Sequence, residues 1–92
     1  MNKLIGGMFR VARLKKKLSV AKLVQGLPNP ISSSYYNRLE VGEHIPFPDI
    51  VRELAVALDM DVLKILDMAY KVYQQALIKR FQKELDIYLG KK

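Results

Sequence analysis

The sequence predicts an all-α fold in which a small domain of five helices is followed by an additional long C-terminal helix. Apolar residues recur at steps of three or four along almost the whole chain, which is the period of a helix with one buried face. No segment shows the strict alternation of apolar and polar residues that is typical of a half-buried strand. Serines precede two of the periodic segments, and glycine or proline follows them, as helix caps and helix breakers do.

Three short helices are predicted in the first half of the domain. Ile5, Phe9 and Ala12 give the first helix a single apolar face. Gly6 and Gly7 are expected to weaken its first turn, because glycine is a poor helix former. The predicted bounds are about Lys3 to Lys17, then Ser19 to Gly26, then Ser32 to the residues just before Gly42, with a turn at Pro28-Asn29-Pro30 before the third helix.

The remaining helices follow a loop from His44 to Pro48. Pro48 suits the first turn of a fourth helix, because the N–H that proline lacks would be unpaired there in any case. The predicted buried face of this helix consists of Val51, Leu54, Ala55 and Leu58. Asp61 begins a fifth helix that runs to Ala69, and the apolar steps from Tyr70 to Gly90 predict the long terminal helix.

Length and composition restrict the possible functions before any motif is considered. A chain of 92 residues is enough for one small domain with a short addition. Half of its residues are hydrophobic, so it can bury a core, and it contains no cysteine for a disulfide, a zinc–thiolate site or a nucleophile. No apolar run reaches the ~20 residues of a membrane span. We therefore expect a cytoplasmic protein with no cofactor, no metal and no membrane partner.

The basic charge is unevenly distributed along the chain. The formal net charge is +7, and residues 1–39 carry eight basic side chains and no acid. Residues 40–70 carry seven acids against two bases, and residues 71–92 carry six bases against two acids. A wholly basic segment beside an acidic one indicates a surface that faces a polyanion such as nucleic acid. A solvated, lysine-rich helix is the alternative explanation for Lys15-Lys16-Lys17.

Two short helices joined by a tight turn, the second with a small polar exposed face, are typical of proteins that place a helix in the major groove of DNA. The residues that carry a more specific likeness are Arg13, Leu18-Ser19, Leu23, Ser32-Ser33-Ser34-Tyr35-Tyr36-Asn37-Arg38-Leu39-Glu40-Val41-Gly42, Pro46 and Leu54-Ala55-Val56-Ala57-Leu58. In this order, the chain from residue 5 to about 68 resembles the Xre/Cro–CI family of helix-turn-helix regulators. The resemblance implies a lambda-repressor-like DNA-binding domain over residues 1–68, which leaves residues 69–92 as a C-terminal amphipathic helix for dimerisation. The chain departs from the family in a turn that is two residues longer, at Pro28-Asn29-Pro30.

The exposed face of the third helix supplies the candidate base-reading residues. Serine and asparagine can donate and accept hydrogen bonds at base edges, and arginine can bond guanine O6 and N7 together. Helix N-termini and lysines are suited to phosphate instead. The candidate DNA-binding residues are therefore Ser32, Ser33, Ser34, Asn37 and Arg38 on the third helix, with Ser19, Lys16, Lys17 and Lys22 outside it. An ordinary solvated helix face is the alternative for this set.

Two further sets of residues have structural roles. By the resemblance, Arg13 and Glu40 form a partly buried ion pair that joins the first helix to the end of the third. The large apolar residues of the terminal helix form a stripe of Tyr70, Tyr73, Leu77, Phe81, Leu85 and Tyr88. Such a long stripe exceeds what the small domain can cover, so we predict that it is the interface of a homodimer. The alternative is that it folds back to complete the core of its own domain.

The sequence predicts a sequence-specific, dimeric DNA-binding transcription regulator, and a repressor in particular because it leaves no room for an activation domain. An antitoxin that binds a protein toxin as well as its own operator is the alternative. A nucleoid-like protein without sequence preference is a third class. An enzyme fits worst, because the sequence has one histidine, no glycine-rich phosphate loop and no nucleophile paired with a base.

Overall fold

The computed structural model of the protein describes residues 2–44 and 46–90. Over these residues the fold is all-α, as predicted, and contains no strand. The helices are α1 (Asn2–Lys15), α2 (Val20–Gln25), α3 (Ser33–Glu40), α4 (Pro48–Ala57) and α5 (Val62–Tyr88). None of the described helices is long and apolar enough to cross a membrane. Outside the described residues lie Met1, Ile45 in the predicted loop, and Lys91 and Lys92 at the end of the predicted C-terminal segment.

The fifth and terminal helices of the sequence prediction are one continuous helix, so residues 2–44 and 46–90 form five helices where six were predicted. Asp61 caps this helix by accepting a hydrogen bond from the backbone N–H of Lys64 at 3.1 Å. No glycine or proline occurs between Asp61 and Leu89, and a helix without a breaker propagates at little cost. The predicted boundary between residues 68 and 69 therefore falls inside α5.

The predicted serine caps are both formed. Ser19 Oγ accepts a hydrogen bond from the N–H of Lys22 at 3.1 Å, and Ser32 Oγ accepts one from the N–H of Tyr35 at 3.0 Å. After α3, Gly42 adopts a left-handed conformation with φ +83°, in which the N–H of Glu43 reaches back to the carbonyl of Arg38 at 2.9 Å. These local signals fix the two ends of α3.

All five described helices contribute to the core, including α2 through Leu23 and Val24. Its largest fully buried side chains are Tyr36, Phe9, Leu39, Leu54, Ile65 and Val51. Helix α4 packs on α5, and α3 packs on α1 and α2. Val72 is the last buried residue of α5, so the following four turns extend away from the core. This extension accounts for the elongated shape, which measures 52 Å by 25 Å by 21 Å.

Gly6 has a role that differs from the helix-weakening effect expected of it. A Cβ atom at this position would overlap the backbone carbonyl oxygens of Leu39 and Glu40, at the end of α3. At Gly42, likewise, a Cβ would lie 2.8 Å from the backbone nitrogen of Lys3. Helix α1 therefore approaches the end of α3 more closely than any side chain would allow. Gly7 has no neighbour within 4 Å of such a Cβ. The prediction that glycine only weakens the helix therefore applies to Gly7 and not to Gly6.

Candidate nucleic-acid interface

Helix α3 presents two chemically different faces. Tyr36 and Leu39 are buried against the core and fix its rotation about its own axis. Four polar residues are exposed on the other side: Ser33, Ser34, Asn37 and Arg38. Their spacing of one, four and five residues places them on one surface of the helix. The structure thus brings together the side chains that the sequence predicts as base readers.

The guanidinium of Arg38 is available for an external ligand. In the described ranges, 2–44 and 46–90, it makes no ion pair and no hydrogen bond. A free guanidinium offers five N–H donors in a planar arrangement that matches the O6 and N7 acceptors of guanine. Arg38 is therefore the side chain on this face with the greatest capacity to distinguish one base from another.

The hydroxyl groups of Ser19 and Ser32 serve as N-caps. Each is therefore already hydrogen-bonded to the backbone of its own helix. Each hydroxyl oxygen accepts a bond from the first turn of its helix, and its own O–H can still donate. The remaining free N–H groups of these turns, together with that O–H, are donors that suit a phosphate. Both residues can therefore combine the capping and the phosphate-binding roles predicted for them.

The three candidate lysines differ in what they contact. The ammonium of Lys16 donates to Asp59 Oδ2 at 2.9 Å and to the carbonyl of Ala57 at 3.1 Å. It therefore connects the end of α1 to the turn between α4 and α5, and its charge is already partly neutralised, which weakens the prediction that it binds phosphate. Lys17 and Lys22 are exposed and have no ion-pair partner among the residues that the structure describes. These two are the better candidates for attraction to a polyanion.

Arg13 and Glu40 form the ion pair that the family resemblance implies. Arg13 Nε donates to Glu40 Oε2 at 2.7 Å, and a second guanidinium nitrogen donates to Oε1 at 3.2 Å. The third nitrogen donates to the carbonyl of Leu18 at 2.9 Å. The two side chains are only 11% and 6% exposed. A paired charge with these partners ties α1 to the last residue of α3.

Arg13 and Glu40 each stabilise the charged form of the other. Hydrogen bonding to Glu40 raises the pKa of Arg13, against the effect of burial. Burial works to raise the pKa of Glu40, but the hydrogen bonds and charge of Arg13 outweigh it and lower that pKa. Burial and the nearby carboxylate raise the pKa of Tyr36. The Tyr36 hydroxyl nevertheless closes no hydrogen bond within the described structure.

Glu53 holds the turn before α3 and was missed by the sequence analysis. It is the buried acidic residue of α4, at 8% exposure. One carboxylate oxygen accepts from the backbone N–H of Asn29 at 3.0 Å, and the other accepts from the Asn29 side-chain amide at 3.1 Å. The longer turn at Pro28-Asn29-Pro30 is thereby fixed to α4. No local signal could reveal this contact, because a glutamate beside apolar residues of a helix is normally solvated.

The predicted dimer residues lie on the exposed side of α5. Their exposed fractions range from 40% at Leu77 to 91% at Tyr88. The alternative that this stripe completes the core of its own domain is therefore wrong for the chain as described, since the core ends at Val72. Aromatic and aliphatic side chains in a continuous exposed row indicate an interaction surface.

Comparison with models of known protein families, with curated proteins and with solved structures finds no match to this chain. The functional assignment therefore depends on the residues and contacts described above.

Proposed function

We propose that the protein is a sequence-specific DNA-binding transcription regulator that acts as a homodimer, with α3 lying in the major groove. The observation that carries the proposal is the exposed face of α3, on which an unpaired arginine stands beside small polar side chains. A helix with short residues at its exposed positions can approach the base edges closely. The same face belongs to a stretch of 39 residues that contains no acid.

The contacts behind α3 support this assignment. Base readout requires a helix that keeps its position while its side chains form hydrogen bonds. The pair of Arg13 and Glu40 holds the C-terminal end of α3, and the carboxylate of Glu53 holds the turn that leads into it. Both ends of the helix are therefore connected to other elements through charged hydrogen bonds. A repressor is the form of regulator that we propose, since occupying DNA needs no second activity.

An antitoxin remains the second candidate, and the exposed apolar side of α5 is the observation that favours it. A toxin bound there would leave the DNA-facing residues unchanged. The two functions are therefore separated by the partner of α5 and not by α3. A chain whose α5 pairs with a second copy of itself has no need of a toxin to cover this surface.

The proposal is tested by selecting a binding sequence from a random DNA library and measuring affinity for the selected site and for random duplex. For Arg38→Ala we expect binding to the selected site to weaken by roughly 5- to 150-fold, which corresponds to the ~1–3 kcal/mol of a bidentate base contact. Binding to random duplex should change much less. Lys64→Ala, which removes one charge from an exposed position on α5, is the matched control and should reduce both affinities slightly and equally.

Two results would contradict the proposal. The first is a library that yields no preferred sequence, which would favour a binder without sequence preference. The second is an Arg38→Ala variant that binds the selected site as the wild type does, which would remove α3 as the reading element. Affinities should be compared at one salt concentration, because phosphate contacts make them strongly salt-dependent.

A further inference from the structure

The exposed apolar residues of α5 have a spacing that reads the same in both directions. These residues, hereafter the α5 stripe, are Tyr70, Tyr73, Leu77, Phe81, Leu85 and Tyr88. The steps between them are three, four, four, four and three residues. The stripe is therefore symmetric about residue 79. A second copy that runs antiparallel, with its residue 79 beside residue 79 of the first, presents an apolar side chain at every level where the first copy has one.

The antiparallel pairing is favourable level by level. At 100° per residue, Tyr70 and Tyr88 lie at the centre of the stripe, so Tyr70 of one copy directly faces Tyr88 of the other. Tyr73 and Leu85 lie on opposite flanks of the stripe. At the level they share, one copy therefore fills one flank and the other copy fills the other. Leu77 and Phe81 behave in the same way closer to the axis, so at their shared level the two side chains lie side by side.

The surface that packs on the domain does not interfere with this pairing. Ile65, Ala69 and Val72 are the buried residues of α5, and they lie about a quarter turn or more around the helix from the centre of the stripe. The α5 stripe can therefore be covered by a second helix while the core remains as it is.

An apolar groove beside the stripe provides a site for the end of the second helix. It has a volume of about 370 Å³ and is lined by Pro46, Phe47, Pro48, Leu66, Tyr70 and Tyr73. Phe47 is 63% exposed although it is a large apolar side chain. Antiparallel pairing brings Ile87 and Tyr88 of the second copy to the level of this groove. Both residues are otherwise exposed, at 63% and 91%. Pairing would therefore bury the apolar surface of the groove and of the helix end together.

We propose that α5 pairs with α5 of a second copy in an antiparallel arrangement centred on residue 79, with the end of each helix seated in the groove beside Phe47 of the other copy. This proposal deepens the homodimer part of the proposed function and rests on it. The buried part of α5, from Ile65 to Val72, is centred about ten residues from residue 79, or ~15 Å along the helix. Two domains attached in this way are separated by ~30 Å along the helix pair, which is close to the ~34 Å between successive major grooves on one side of DNA. A parallel pair would place the domains at the same level.

The absence of cysteine from the sequence makes disulfide cross-linking a direct test, since an introduced thiol has no background. Tyr70→Cys and Tyr88→Cys chains carrying different tags are oxidised separately and as a mixture that has exchanged subunits, without DNA. We expect a disulfide between the two different chains in the mixture, and no disulfide-linked dimer in either chain alone. In the antiparallel pair the two copies of residue 70 are 18 residues apart along the axis, or ~27 Å, which no disulfide can bridge.

The controls separate pairing from folding and from DNA binding. Leu77→Cys mixed with Phe81→Cys gives the same mixed product near the axis, and Lys64→Cys, about a third of a turn around α5 from the centre of the stripe, gives none. Dimers linked through two copies of residue 70 or of residue 88 would show a parallel pair and overturn the proposal. A monomeric mass at 100 µM by sedimentation, with no cross-link, would remove the second copy as the occupant of the groove. If cross-linking succeeds while Arg38→Ala leaves DNA binding unchanged, the pairing stands and the base-reading role of α3 fails.

Discussion

The close approach of α1 to α3 makes Gly6 the position where the smallest change has the largest expected effect. In Gly6→Ala the added Cβ would overlap two carbonyl oxygens, and both belong to the backbone of α3. No side-chain rotation can relieve the overlap, so the two helices must separate. Separation loosens the packing of Ile5 and Phe9, which are 3% and 0% exposed, and strains the ion pair between Arg13 and Glu40.

The magnitude follows from two opposing effects. Inserting a methyl group into a fully packed contact costs typically ~1–3 kcal/mol, and we place Gly6→Ala at the upper end, since only a backbone shift can relieve the overlap. Replacing glycine by alanine inside a helix gains up to ~1 kcal/mol. We expect the free energy of unfolding to fall by about 2 kcal/mol net, which for a domain of this size lowers Tm by roughly 8–16 °C.

Gly7→Ala is the matched control for this change, one residue further along the same helix. Its Cβ would meet nothing within 4 Å, so only the helix-propensity gain of ~0.5–1 kcal/mol remains and the protein should become more stable. Urea unfolding followed by circular dichroism, at one protein concentration for all variants, measures both. A Gly6→Ala protein as stable as Gly7→Ala would refute the close approach of the two helices.

Two further predictions concern the charged contacts behind α3. The pKa of Glu40 is lowered in the folded protein, because the hydrogen bonds and charge of Arg13 outweigh burial. The ionised Glu40 carboxylate therefore contributes its full stabilisation above the unfolded pKa near 4.5, and this stabilisation is lost as pH falls through the folded pKa. Glu40→Gln should cost about 3–5 kcal/mol at pH 7, where it leaves the charge of Arg13 unpaired. The difference in unfolding free energy from the wild type should narrow as pH falls below the unfolded pKa near 4.5. Glu53→Ala should lower stability by about 1–3 kcal/mol, since the donors of Asn29 lose their acceptor, whereas the exposed Glu43→Ala changes it by less than ~0.5 kcal/mol. Equal effects of these two glutamates on the urea midpoint would contradict the anchoring of the turn.

Apart from the ion pair of Arg13 and Glu40, which the family resemblance implies across 27 residues, the correctly predicted parts of the fold depend on residues close together in the chain. A serine cap and its N–H partner are three residues apart, and a left-handed glycine acts within its own turn. The buried face of α4 follows from apolar steps of three and four within ten residues. For the same reason, the exposed side of α3 could be predicted residue by residue. Hydrophobic periodicity predicts which residues are exposed, but it does not predict whether they bind DNA.

The contacts that the sequence analysis missed are long-range. Gly6 meets the carbonyl of Leu39, and Glu53 meets Asn29, across 33 and 24 residues of chain respectively. A glycine in a helix normally weakens it, and a glutamate beside apolar residues is normally solvated. Only the packing of α1 on α3 and of α4 on the turn shows that Gly6 and Glu53 have other roles. The contact of Lys16 with Asp59 was missed for the same reason, because the two residues are 43 apart in the chain. Continuous α5 is the exception, since the absence of a breaker after Asp61 was visible locally.

The same contacts explain the role of the acidic segment, residues 40–70. Of the seven acids between residues 40 and 70, five have a partner within the protein: Glu40, Glu53, Asp59, Asp61 and Asp67. Two of these five hold the ends of α3 through Arg13 and Asn29, so these two carboxylates are hydrogen-bonded within the protein. Arg38, Lys17 and Lys22 have no ion-pair partner among the described residues and keep their charge towards solvent. The scaffold thus uses two of its acids to position α3, whose exposed face carries the charge of Arg38 beside uncharged serine and asparagine side chains.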